Sequence, residues 1–165
     1  MIENEKNIQN IRFQSGAYYI VSPYGGELII EIDSKKLMGR YNYKSRFYKI
    51  SVKWKINKEI FLKFIEEIIK IDIFSWNKNY NASDVLDGGY WSLIIEYNKN
   101  ETFEVIGDNA YPDNFDEFYK ILKKYFSIIR KDYEYRKEME TNYIKQMQFS
   151  HNEAVEKAVL RKKRC

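Results

Sequence analysis

Apolar and polar residues alternate most regularly between positions 47 and 56. Tyr48, Ile50, Val52, Trp54 and Ile56 share one parity, and Lys49, Ser51, Lys53 and Lys55 share the other. This period of two predicts a strand with one buried and one wet face. Upstream, residues 11–21 suit a strand, strongest over Ala17-Tyr18-Tyr19-Ile20-Val21. Ser22-Pro23-Tyr24-Gly25-Gly26 supplies a chain reversal, and residues 27–32 resume as the second arm of a hairpin. Residues 1–10 are expected to fray, and residues 34–39 to form a loop. Asn57 is a good N-cap for a helix to about Ile71. Ile60, Phe61, Phe64, Ile65 and Ile68 form its apolar stripe, and Lys63/Glu67 and Glu66/Lys70 stand at i,i+4 on the wet side.

A loop over 72–89 then leads into a strand from Tyr90 to Tyr97, a tight turn at Asn98-Lys99-Asn100, and a hairpin partner from Thr102 to Ile106. After a loop over 107–113, Asn114 and Glu117 have the spacing of a capping box. They open a helix that carries Phe115, Phe118, Tyr119, Leu122, Tyr125, Phe126 and Ile129 at helical spacing. Beyond Ile129 the chain is mostly charged, with a thin stripe of Tyr135, Met139, Tyr143, Ile144 and Met147. A second capping box, Ser150-His151-Asn152-Glu153, opens a further short helix. A narrow stripe buries little area, and burial supplies most helix stability. This stretch is therefore expected to lean on the body, on a second copy or on a partner. The pattern predicts an α+β fold: a mostly antiparallel sheet of about five strands with two packed helices over 1–129, and a helical C-terminal extension over 130–165. The extension belongs to the same domain or forms a partner-binding arm.

With 165 residues the chain has the size of one domain, and its apolar content is enough for a core. The single cysteine, Cys165, excludes an internal disulfide. The polar opening Met1-Ile2-Glu3-Asn4-Glu5-Lys6 lacks the apolar stretch of a secretory signal, and no apolar run approaches the ~20 residues of a membrane span. A cytoplasmic protein without membrane contact is expected. Heavy use of Lys, Ile and Asn is what AT-rich coding produces, as in low-GC bacteria and their phages. Of the 28 Lys and Arg residues, Arg161, Lys162, Lys163 and Arg164 lie at one end, and the other 24 balance the 24 Asp and Glu. The excess charge is thus a short tail rather than a basic stripe across the fold.

Little in the chain supports chemistry. His151 is the only histidine, so neither a nucleophile–histidine pair nor a zinc site has enough members. Phosphate-cradling glycine motifs are missing. The only acid–base candidates are the loop aspartates Asp84, Asp87, Asp108 and Asp113, in segments where aspartate is ordinary turn chemistry. No catalytic residue, metal ligand or cofactor is therefore assigned.

One constellation is positional. Trp76 and Tyr80 precede Asp87-Gly88-Gly89-Tyr90-Trp91, and Gly107-Asp108-Asn109-Ala110-Tyr111-Pro112 leads to Phe115. This resembles a pattern of small uncharacterised bacterial and phage proteins, a Trp followed by Asp-Gly-x-x-Trp and then Gly-x-Asn-x-Tyr-Pro-x-x-Phe. It covers roughly residues 76–126. The resemblance implies a sheet-plus-helix domain and carries no activity with it.

By elimination the expected role is contact. A non-enzymatic protein is expected, an inhibitor or immunity-type protein that occludes a protein or nucleoprotein target such as a host-defence complex or a toxin. The candidate contact residues are Tyr41, Tyr43, Lys44, Arg46 and Tyr48 in the aromatic–basic stretch, and Trp76, Tyr80 and Trp91 around the hairpin. Tyr135, Met139, Tyr143 and Met147 on the extension, through which a homodimer would form, and Arg161, Lys162, Lys163 and Arg164 complete the set. Tyr41, Tyr43, Phe47 and Tyr48 also interleave with Arg40, Lys44, Arg46 and Lys49, with Lys53 and Lys55 following, and rings beside cations are what single-strand nucleic-acid platforms use. An RNA- or DNA-binding module is the first alternative, and a hydrolase built on the loop aspartates is the second.

Overall fold

The computed structural model describes residues 6–17, 25–46, 48–82, 84 and 88–162, with backbone only at 17 and 155–162. The chain divides into two compact units, residues 1–130 and 131–165. In the first, β1 (Ile8–Ala17), β2 (Gly26–Asp33), β3 (Met38–Ser45) and β4 (Lys49–Lys55) precede helix α1 (Lys58–Lys70). A 3-10 turn (Ile73–Ser75), β5 (Asn79–Asn81), β6 (Gly89–Tyr97), β7 (Glu101–Asp108) and α2 (Phe115–Tyr125) follow. Helix α3 (Ser127–Lys162) runs from the end of this unit into the second.

The strands form one sheet in the order β4-β3-β2-β1-β6-β7-β5. Neighbours pair antiparallel except β5, which lies parallel to β7. One parity of each central strand is apolar and buried: Ile11 and Phe13, then Leu28, Ile30 and Ile32, then Trp91, Leu93 and Ile95. Helices α1 and α2 lay Phe61, Phe64, Ile68, Phe118 and Leu122 into the same hydrophobic cluster. Burying apolar area on one face of a sheet in this way is the main stabilising term of such a layer.

Local chemistry sets the reversals. Leu37 has φ of 48°, and the Lys36 amide donates to Asp33 Oδ1 at 3.0 Å, which turns β2 into β3. Asn98 and Lys99 both have positive φ, as the hairpin turns that match strand twist require. Asn57 caps α1 by accepting from the Glu59 amide at 2.8 Å and the Ile60 amide at 3.4 Å.

Two tryptophans use the same device at opposite sides of the sheet. Trp91 of β6 stands across from Gly107 of β7, and Trp54 of β4 across from Gly39 of β3. A Cβ on Gly107 would lie 1.9 Å from the Trp91 indole nitrogen, and one on Gly39 would lie 2.2 Å from the Trp54 ring. Each indole lies over a glycine because only glycine leaves it the space.

Several expectations are corrected. The sheet has seven strands and is mixed, where about five in a mostly antiparallel sheet were expected; β3 falls partly within the supposed loop, and β5 lies in another. Strand β1 begins at Ile8, inside the stretch expected to fray, while Tyr18–Val21 fall outside the described residues. Ile60 is 43% exposed rather than part of the buried stripe of α1. Glu67 accepts from Lys124 and Tyr125 of α2 instead of pairing with Lys63, which donates to Glu59 at 2.8 Å. The second helix breaks at Phe126, where φ is −123° and ψ is 99°. Helix α3 then runs through 150–153 without the interruption that the second capping box predicts.

Candidate functional site

The aromatic corner that follows the sequence pattern is built inward. Trp76 and Trp91 are 6% and 2% exposed, with centroids 6.2 Å apart and rings nearly perpendicular. Trp91 also packs on Phe115 at 4.8 Å and stacks on Tyr111 at 5.8 Å. Its indole N–H donates to the Ala110 carbonyl at 2.9 Å. The Trp76 indole N–H donates to Asn114 Oδ1 at 2.7 Å, and Asn114 Nδ2 donates to the Ile71 carbonyl at 2.6 Å. Asn114 therefore makes no side-chain cap on α2; its amide instead ties the end of α1 to the indole.

Asn109 completes the corner. In the left-handed region at φ 56°, it accepts the Gly89 amide on Oδ1 at 2.7 Å and donates its own amide to the Gly89 carbonyl at 3.0 Å. The half-buried Tyr80 packs on Trp91 and takes the Asn77 amide on its hydroxyl at 3.0 Å. Trp76 and Trp91 have their indole N–H groups satisfied and their faces covered, while Tyr111 at the rim is 50% exposed. The Trp…Trp…Asn-x-Tyr-Pro-x-x-Phe spacing describes a core corner, which takes Trp76 and Trp91 out of reach of a partner.

The aromatic–basic stretch divides in the same way. Tyr41 is 0% exposed and Tyr43 is 2% exposed, both inside the core, and the half-buried Tyr48 packs on Tyr43 at 5.1 Å. Lys44 and Arg46 are exposed, and Phe47 lies outside the described residues. Period two explains the division. In β3, Gly39, Tyr41 and Tyr43 face the helices, while Arg40, Asn42 and Lys44 face the other way. A ring-and-cation platform on a single surface is thus not what β3 presents.

What β3 does present belongs to a continuous open face. The registers set Lys53, Arg40, Glu31, Arg12, Ile94 and Glu104 in one row across six strands. Strands β3 and β4 place Arg40, Lys44, Lys49, Lys53 and Lys55 on it and no carboxylate. Strands β6 and β7 place Glu96, Glu104 and Asp108 on it and no cation. Between them Glu31 bridges to Arg12 at 3.0 Å and to Arg40 at 3.7 Å, and Asp33 pairs with Lys36 at 3.2 Å. Burial pushes the Asp33 carboxyl up, but the Lys36 amide and ammonium outweigh it and leave Asp33 below the usual carboxylate range. A depression of about 350 Å³ lies here, lined by Asn10, Glu31, Asp33, Lys36, Met38, Arg40 and Lys53. Among the described residues, Lys44, Lys49, Lys53 and Lys55 make no ion pair. The face therefore grades from positive at the β4 edge to negative toward β7.

In the second unit, Tyr135 is 51% and Met147 55% exposed, and Met139 and Tyr143 are half-buried. The Arg136 guanidinium donates to Asp132 at 2.9 Å. Arg161 and Lys162 are described as helical backbone only, and Lys163 and Arg164 lie outside the described residues. Of the aspartates expected in loops, Asp108 instead ends β7 and accepts from Asn109 Nδ2 at 2.9 Å, Asp84 and Asp113 are exposed, and Asp87 lies outside the described residues. Among the described residues no three His, Cys, Asp or Glu side chains cluster as a metal site would need, and no helix is long and apolar enough to cross a membrane.

In the sequence, Arg40, Lys49, Lys53 and Lys55 count only among the cations of the nucleic-acid alternative, not among the protein-contact residues. The alternation in residues 49–55 already marks the three lysines as one wet face. Their union with Arg40 and Lys44 needs the β3–β4 register, which the sequence does not print. Compared with protein-family models and with curated protein sequences, the chain matches none.

Proposed function

We propose that this chain is a non-enzymatic binding protein, one that covers a surface of a protein or nucleoprotein in the manner of inhibitors and immunity proteins. Phages and bacteria direct such proteins at host-defence complexes or toxins. The observation that carries the reading is the open sheet face. A large exposed surface with cations on one side and carboxylates on the other suits a partner of complementary charge, because such patterns steer encounter and fix register. Nucleic acid is the weaker reading. Tyr41 and Tyr43 are buried, so the face offers no stacking rings beside its lysines, and the carboxylates of β2 would repel a phosphate chain.

Capture from a lysate of the source organism, with and without nuclease, tests the reading. The wild-type chain is expected to retain a partner that survives nuclease treatment, and a Lys44/Lys49/Lys53/Lys55→Glu variant is expected to lose it. Retention of nothing, or of material that nuclease removes, would count against the reading.

A further inference from the structure

We infer that the outer edge of β4 is a docking site for an extended, acidic segment of a partner protein, which adds to the sheet as an eighth strand. This rests on the binding role proposed above and gives it a location and a ligand chemistry.

Strand β4 ends the sheet on one side, and among the described residues no strand pairs with its outer edge. The Ser45 amide donates to the Tyr48 carbonyl at 3.0 Å, and the Ile56 amide to the Leu37 carbonyl at 2.7 Å. These two bonds fix the alternation of the antiparallel ladder between them. Ile50, Val52 and Trp54 turn their backbone N–H and C=O groups toward β3, and Lys49, Ser51, Lys53 and Lys55 turn theirs outward. The residues with outward backbone groups are also those whose side chains lie on the open face, all exposed. An incoming strand would therefore meet backbone partners and ammonium groups at the same positions.

That coincidence selects the occupant. In the full-length antiparallel register with a second copy, Lys49 opposes Lys55 and Ser51 opposes Lys53, an arrangement that like charges disfavour. Lysines commonly protect a strand edge from self-association, and here the same protection favours a strand bearing carboxylates. On the other face, Ile50, Val52 and Trp54 are half-exposed at the sheet's end, so apolar residues at alternate positions of the guest would extend the covered face. The chemistry that fits is an extended peptide alternating Asp or Glu with aliphatic residues. Backbone pairing would supply affinity, and the side chains specificity.

The test uses the full chain and a fluorescent peptide alternating glutamate and valine, with a lysine–valine peptide and an oligothymidylate as comparators. The glutamate–valine peptide is expected to bind, and the lysine–valine peptide to fail. Ser51→Pro removes one outward N–H without changing charge, as an edge position tolerates. It is expected to weaken binding about tenfold, equivalent to ~1.4 kcal/mol, while Ser51→Ala matches wild type. A glutamate–valine peptide N-methylated at the residues facing β4 tests the same bonds without altering the protein, and is expected not to bind. The inference is overturned if the two peptides bind alike, if N-methylation has no effect, if a folded Ser51→Pro binds as Ser51→Ala does, or if the oligonucleotide displaces the peptide. Any of these failures with a nuclease-resistant partner still captured removes strand addition and leaves the binding role standing. Loss of the captured partner removes the role itself.

Discussion

Tyr90 and Trp91 are neighbours in β6, yet they belong to surfaces with opposite duties. Trp91 faces the helices, with its ring enclosed by Phe115, Tyr111, Tyr80 and Trp76 and its N–H bonded to Ala110. Tyr90 lies on the side that carries the charge gradient, opposite Asp108 in the register. On the helix side, packing and hydrogen bonding constrain nearly every large side chain. On the open side, Tyr90 lies over Gly16, and most of the remaining long side chains are charged. On the binding role proposed above, the same strands separate folding from recognition by parity: substitutions at one parity should read out as stability, and those at the other as affinity.

The strongest challenge to that separation is Trp91→Ala. Loss of its ring contacts and its bond to Ala110 is expected to cost about 3–5 kcal/mol, measured by chemical denaturation. Gly107→Ala changes one methyl group, but a Cβ there would meet the indole at 1.9 Å; a loss of about 1–3 kcal/mol is expected from overpacking. Asn114→Ala leaves the Trp76 N–H and the Ile71 carbonyl without their partner, and should cost about 1–3 kcal/mol. Lys53→Glu on the open face is expected to stay within about 0.5 kcal/mol of wild type. A cost comparable to that of Asn114→Ala would show that the open face also serves folding.

Glu67 gives the finest measure. The Lys124 ammonium, and after it the Tyr125 hydroxyl, hold the Glu67 carboxyl below its usual range. A carboxylate depressed in the folded state contributes stability above its unfolded pKa and loses it as pH falls through the folded value. Glu67→Gln should therefore lower the melting temperature slightly at about pH 7, with a smaller gap to wild type at about pH 3. A gap of equal size at both pH values would assign the effect to packing rather than charge.

The elements legible in the sequence were those whose pattern is local. The alternation of β4 and the Asn57 cap of α1 needed nothing from elsewhere in the chain. Strand β3 was hidden because its inward residues are Gly39, Tyr41 and Tyr43, and tyrosine suits a surface as well as a core. Strand β5 spans three residues, too few to show a period. Asn114 and Glu117 have capping-box spacing, but Trp76 and Ile71 claim the Asn114 amide from 38 and 43 residues away. At 150–153 a cap signal stands in a stretch with neither glycine nor proline to stop α3, so propagation wins. For the site, the error was one of direction. Trp76, Trp91, Tyr41 and Tyr43 were noticed for their chemistry, and the side of the sheet each faces is a property of the assembled strands.

The two tryptophan–glycine pairs bear on how this chain can change over time. Because each indole occupies the room its partner's missing side chain leaves, the volume belongs to the pair and not to either position. Gly39 with Trp54, and Gly107 with Trp91, should therefore drift together: a bulkier residue at the glycine is viable only when the ring across from it shrinks in the same step.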